Sequence, residues 1–165
     1  MIDFKIKGGR EVSALLQQLP VEVEKKILRN ALAAGVRVLR DEARARVPSE
    51  TGKLRKSIRT SRDTKGGRIV AKVRLKGRHS YLGVFMEYGV KPHLIAAGGS
   101  LRSLKIDGKF VGKSVQHPGV AAKAFMGPAV DARGQDAVTA AADYITRYLQ
   151  FGAISAPTIA VDDEE

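Results

Sequence analysis

Apolar and charged residues alternate at the start of the chain, where Ile2, Phe4 and Ile6 flank Asp3 and Lys5 and the pattern stops at Gly8-Gly9. That period of two predicts a short edge strand. A short helix is expected over "REVSALLQQL". Pro20 then suits the first position of a new helix, and Glu22 and Glu24 favour its positive end. From Val21 to Val47, Ile27/Leu28, Ala31/Leu32, Val38/Leu39 and Ala43 recur at three-to-four spacing, while Lys25, Arg29, Arg37, Arg40 and Arg44 mark the opposite face. The pattern is that of a long amphipathic helix stopped by Pro48. Gly35 lies on its apolar side and predicts close approach by another element.

The stretch "RVPSETGKLRKSI" is punctuated too tightly for a slack linker. Pro48 ends one helix, Thr51-Gly52 supplies a turn, and Leu54 and Ile58, four apart, anchor a short helical turn with Lys53, Arg55, Lys56 and Arg59 outward. "RIVAKVRLKG" then alternates Ile69, Ala71, Val73 and Leu75 with basic residues, a half-buried strand whose solvent face carries Arg68, Lys72, Arg74 and Lys76. "YLGVFMEYGV" is a dense apolar run and reads as a central strand. Asp107-Gly108, between Lys105 and Lys109, is the strongest hairpin signal in the chain. "GPAVDARGQDAVTAAADYITRYLQ" returns to helical period, with Val138, Ala141/Ala142, Ile145 and Leu149 on one face and Gly152 closing it. The reading is an α+β fold: a single antiparallel sheet, a long helix in the N-terminal half and a C-terminal helix packed on one face, and a protruding β-hairpin. One domain spans 1–152, with a hairpin excursion at about 91–116, and 153–165 form an extended acidic C-terminal tail.

Composition narrows what such a chain does. Its 165 residues contain no Cys and no Trp, which removes disulfides and thiolate metal sites. No apolar run approaches the roughly 20 residues of a membrane span, and no signal-peptide stretch opens the chain, so a soluble intracellular protein is expected. The formal charge of +12 is unevenly spread. Residues 1–60 hold 14 bases against 7 acids, 61–123 hold 13 against 3, and 124–165 hold 2 against 7. A basic body with an acidic end suits either a polyanion or head-to-tail docking between copies.

Candidate chemistry is sparse. His79, His93 and His117 have neither the helical spacing of a zinc site nor a neighbouring carboxylate, and read as solvated loop histidines. Ser57, Ser80 and Ser103 lack a nucleophile elbow, and Gly98-Gly99 lacks the context of a phosphate loop. Glu87 is the one odd carboxylate, set inside an apolar run, and is expected to form an ion pair with an Arg or Lys. Neither catalytic, metal nor cofactor-binding residues emerge, and no enzyme is expected.

Three phrases nevertheless belong together. Thr51, Gly52, Leu54, Arg55, Ser57 and Ile58 form a T-G-x-L-[RK]-x-S-I phrase after a helix that ends in Pro. Tyr81, Glu87, Tyr88 and Gly89 form a Tyr-led segment ending in Glu-aromatic-Gly, and Phe125, Met126, Pro128 and Ala129 open the last helix. In this order the phrases resemble the head–tail joining proteins of tailed bacteriophages. That family is also called tail-completion, neck or minor tail proteins, the gene-product-ten-like family of lambdoid-type phages. The departures are Gly89-Val90 where Gly-Thr is frequent, and Ala124 where Pro often precedes the Phe. The resemblance implies a non-enzymatic virion protein of the tail or neck, made in the host cytoplasm and needing no cofactor. It further implies a hexameric ring between head connector and tail that lines the DNA passage. Implied partners are other copies of the chain, head connector or stopper proteins, tail terminator or tail tube proteins, and viral DNA in the channel, with no membrane. The hairpin residues Lys105, Asp107, Gly108 and Lys109 would make contacts in such an assembly. The competing reading is a nucleic-acid-binding module using the basic sheet face. "RIVAKVRLKGR" carries no aromatic for base stacking, which favours the structural reading.

Overall fold

The computed structural model describes residues 17, 21–48, 51–78, 80–99 and 103–151. The expected edge strand at 2–6, most of the first short helix, His79 and the tail after Gly152 lie outside them. Helix α1 (Val21–Arg46) is followed by the single-turn helix α2 (Lys53–Ser57), strands β1 (Ile58–Lys65) and β2 (Arg68–Leu75), and helix α3 (Ser80–Tyr88). Strands β3 (His93–Ala96), β4 (Lys105–Ile106), β5 (Lys109–Phe110) and β6 (Ser114–His117) lead to helix α4 (Met126–Phe151).

The long helix forms as its period predicts, but it sits at the centre of the molecule. Ile27, Ala31 and Ala43 are buried as expected, and so are Asn30, Ala33 and Arg40. Two partners cause this: α4 packs along one side of α1 and the β1–β2 hairpin covers another. At Gly35 the two long helices nearly touch, since an added Cβ would lie 2.7 Å from the Ala137 carbonyl oxygen. Small residues permit that approach, and Gly35 and Ala137 provide it. The expectation that Arg40 and Arg44 lie on a solvated face is therefore corrected. Arg40 is 8 % exposed, and the Arg44 guanidinium donates from Nε and Nη2 to the Ile58 carbonyl at 3.0 and 2.6 Å.

Strand β2 alternates as the sequence predicts, with Arg68, Lys72 and Arg74 exposed and Val73 and Leu75 turned towards the core. Its antiparallel partner β1 pairs Ile58 with Leu75 and Lys65 with Arg68. The inner face is tied to α1 by polar bonds, Arg62 Nη1 to Asn30 Oδ1 at 3.0 Å and Arg29 Nη2 to Thr64 Oγ1 at 3.0 Å. The α+β class holds. In place of one antiparallel sheet, the described residues form three two-stranded ribbons, β1–β2, β3–β6 and β4–β5.

The segment "YLGVFMEY", read as a central strand, is helix α3 instead. A continuous apolar run of this length has no period that separates strand from helix. Composition points to helix, because Val84 is the only β-branched residue between Tyr81 and Tyr88. Tyr81 and Phe85, four apart, meet edge to face at 6.1 Å, and Gly83 lies so close against the Leu75 side chain that a Cβ there would require that side chain to shift. Gly89 ends the helix in a left-handed conformation at φ 71°, its N–H bonded to the Phe85 carbonyl at 2.9 Å.

Residues 93–99 and 103–117 form an arm. β3 and β6 pair from His93↔His117 to Ala96↔Ser114, and backbone bonds from Ala97 to Lys113 and from Leu104 to Gly112 continue the ladder. The tip is the Asp107-Gly108 turn, where φ values of 46° and 82° match the two positive angles of a type I′ hairpin.

Candidate functional site

The three phrases picked out in the sequence converge on one joint. At the first, Val47 closes α1 through its N–H to the Ala43 carbonyl at 3.0 Å. Gly52 takes φ 70°, and its carbonyl accepts the Lys56 N–H at 3.0 Å to start α2. The Ser57 hydroxyl donates to the Leu54 carbonyl at 2.6 Å, and the Arg44 fork holds the Ile58 carbonyl just beyond. Ile58 is thereby driven into a cluster with Ala43, Val47, Phe125 and Ala129, against which Leu54, Met86 and Met126 pack. Full burial of a side chain such as Ile58 or Phe125 contributes roughly 1.5–3 kcal/mol. Thr51, Lys53, Arg55, Lys56 and Arg59 stay exposed.

The second and third phrases meet at the start of α4. Glu87 accepts the N–H groups of Phe125 and Met126 on Oε2 at 2.8 and 2.9 Å, and that of Gly127 on Oε1 at 2.9 Å. Pro128 has no N–H to satisfy, and the Ala129 N–H already reaches the Phe125 carbonyl at 3.3 Å. Every donor of the first turn is therefore accounted for by one carboxylate and one proline. The charge also lies at the positive end of the helix. Partial burial pulls the Glu87 pKa upward, but the three backbone N–H donors together outweigh it and leave the carboxyl below its ordinary range. The expected Arg or Lys partner is thus replaced by backbone amides. With both oxygens committed and its basicity lowered, Glu87 is a poor general base.

Gly89 serves the same junction. A Cβ there would lie 2.7 Å from the Val120 carbonyl oxygen and 2.8 Å from the Ala122 nitrogen. The close approach lets the Val90–Val120 bridge form and lets the Lys123 N–H reach the Met86 carbonyl at 2.7 Å. Absence of Ser, Thr, Asp or Asn before Met126 was the available signal that the cap of α4 comes from elsewhere in the chain.

Other singled-out residues point away from this joint. Tyr81 and Tyr88 are 55 % and 80 % exposed on the outer face of α3, beside exposed Val84 and Phe85. Lys105, Asp107, Gly108 and Lys109 are exposed at the arm's tip, with the Lys105 ammonium 5.7 Å from the centre of the Phe110 ring. His93 and His117 are not loop histidines: they occupy paired positions on β3 and β6, and their rings stack at 5.0 Å. Among the described residues no cluster of three His, Asp or Glu side chains is arranged to hold a metal, and no helix is long and apolar enough to cross a membrane.

Residues 10–89, that is 80 of the 165, match a family model described as "Bacteriophage HK97-gp10, putative tail-component". The match includes the first two phrases and agrees with the phage family that the chain resembles; the Phe125–Ala129 phrase lies beyond it. No curated protein and no solved structure matches the chain.

Proposed function

We propose that this chain, a bacteriophage tail component of the HK97-gp10-like family over residues 10–89, is a non-enzymatic structural protein of the phage neck. It forms a ring that joins the head connector to the tail and surrounds the passage for DNA. The family match is the observation that carries this reading. The geometry supports it: the polar groups of this joint are spent on rigidity, with Glu87 capping α4 and Ser57 and Arg44 holding the turn at Ile58. What remains exposed is contact surface, namely the apolar face of α3, the arm and the basic outer face of β1–β2.

The test is complementation of a phage that lacks this protein. Filled heads and finished tails should accumulate apart in electron micrographs, and the protein supplied in trans should join them. Joined, infectious particles without it would overturn the proposal.

A nucleic-acid-binding role draws support from one observation. Arg59 and Arg74 stand opposite each other on the exposed face of the β1–β2 hairpin, with Lys72 and Arg68 further along it. That face has no aromatic side chain for stacking bases. Under the neck reading, binding to random duplex DNA is weak at physiological salt and falls steeply as salt rises. A submicromolar, sequence-preferring complex at that salt would instead establish the nucleic-acid role.

A further inference from the structure

A groove of about 890 Å³ lies between α2, α3 and the base of the arm. Leu54, Leu82, Phe85, Ile95 and Val120 wall it, and Lys53 and Lys123 stand at it, with no acidic residue among the described lining. Phe85 and Val120 are each 47 % exposed there, an unusual state for large apolar side chains drawn into one concavity. We infer that this groove receives residues 153–165 of a second copy of the chain. The inference rests on the self-assembling neck reading and adds the seat of the contact.

Complementarity is the first argument. The segment "AISAPTIAVDDEE" offers Ile154, Ile159 and Val161, followed by four consecutive acids. Those four are its only charges, and without them the rest of the chain carries +16. An apolar stretch ending in carboxylates matches an apolar groove with lysines beside it. The segment before α1 fits less well, because in residues 1–16 Lys5, Lys7 and Arg10 outnumber Asp3 and Glu11.

Reach decides between the chain's own tail and a neighbour's. Helix α4 begins at Met126, which packs against the same buried cluster as the groove residues Leu54 and Met86, and ends 25 residues later at Phe151. Its far end is therefore about 38 Å from its start beside that cluster. An extended chain covers at most about 3.6 Å per residue, so retracing that length takes roughly 11 residues. Ile159 stands eight residues past Phe151 and in cis reaches at most about 29 Å, so Ile154 and Ile159 would be stretched along α4 and short of the groove. A tail from a second copy is free of that limit.

The chain contains no cysteine, which makes site-directed disulfides unambiguous. Full-length Ile159→Cys is mixed with full-length Phe85→Cys and oxidised gently, and non-reducing gels are read for covalent dimer. We expect a dimer whose yield falls about fivefold when Asp162, Asp163, Glu164 and Glu165 are neutralised to amides, or when salt is raised to about 1 M. A synthetic peptide of residues 153–165 should compete. Thr139→Cys, exposed on α4, is the control partner and should yield little. Equal yields with Phe85→Cys and Thr139→Cys, in protein that light scattering shows to self-associate, overturn the groove assignment while leaving the neck reading intact. No cross-link in protein that stays monomeric at all concentrations overturns the inference together with self-assembly. Two further results also overturn it. One is an intramolecular disulfide in the doubly substituted Phe85→Cys/Ile159→Cys chain; the other is preferential cross-linking of Phe85→Cys to Ile6→Cys.

Discussion

Glu87 carries the densest chemistry in the molecule, and it spends that chemistry on structure. Three backbone N–H groups between Phe125 and Gly127 converge on its two oxygens, so the carboxylate form is preferred in the folded chain. Because its folded pKa lies below the ordinary 4.5, the unfolded chain takes up the proton first as pH falls. Its stabilisation is complete above that ordinary value and is lost as pH drops through the folded one. Glu87→Gln keeps one acceptor but turns an amide N–H₂ towards N–H donors. It should cost about 1–2 kcal/mol in urea unfolding at pH 7. The variant should also lose part of the wild type's decline in stability on acidification below pH 4.5. Equal stability of the two proteins at neutral pH would show that the cap contributes nothing. The sequence marks Glu87 as exceptional because it is one of three acids between residues 61 and 123. It does not reveal the partner, since α4 starts 39 positions after Glu87 and backbone donors leave no trace in residue type.

At the scale of elements, α1, β2 and α4 were readable because each has one dominant apolar period. The α3 segment was not, for eight nearly continuous apolar positions fit either state, and its helical form depends on Gly83 meeting Leu75 and on the left-handed stop at Gly89. Strand β1, "IRTSRDTK", was invisible for the opposite reason: apart from Ile58 its inward positions are Thr60, Arg62 and Thr64, polar groups that bond to α1 or its surroundings. Gly35 was legible as a contact point, and its effect can be measured with a sign opposite to helix propensity. Ala is favoured over Gly in a helix interior by about 1 kcal/mol. Here the added methyl would stand 2.7 Å from the Ala137 carbonyl oxygen, so two 26-residue helices would have to move apart. Gly35→Ala should therefore destabilise by about 1–3 kcal/mol, read as a lower urea midpoint. A rise in the midpoint would mean that α1 and α4 adjust freely. Gly89→Ala belongs to the same class, combining φ 71° with a backbone clash at Val120, and should lower the midpoint at least as far.

Taken as a whole, the molecule divides into a body that holds itself together and an arm that has little to hold on to. The body's cluster of Ala43, Val47, Ile58, Phe125 and Ala129 draws nothing from the described residues of the arm. Within the arm, strands pair with each other and share no extensive packing with the helices. Much of its apolar surface is outward: Phe110 is 75 % exposed, Leu94 62 % and Ile106 44 %. Lys91, Lys105, Lys109 and Lys113 face a single acid, Asp107, in the described arm and its base, so folding it back on a basic body would add repulsion. A ribbon of exposed apolar and basic residues gains its stabilisation by meeting another protein surface. Replacing residues 97–113 with Asn-Gly tests this cleanly, because Ala96 and Ser114 already face each other and a two-residue type I′ turn closes such a pair. The shortened chain should keep its helical circular dichroism and a Tm within about 2 °C of the parent, no more than the shift expected from a loss of 1 kcal/mol in a chain of this size. It should fail to join heads to tails in the complementation assay. A large fall in Tm would make the arm part of the fold rather than a contact element. Infectious particles built with the shortened chain would show that no essential contact passes through the arm, and would leave the outer face of α3 and the groove beside it as the surfaces on which assembly depends.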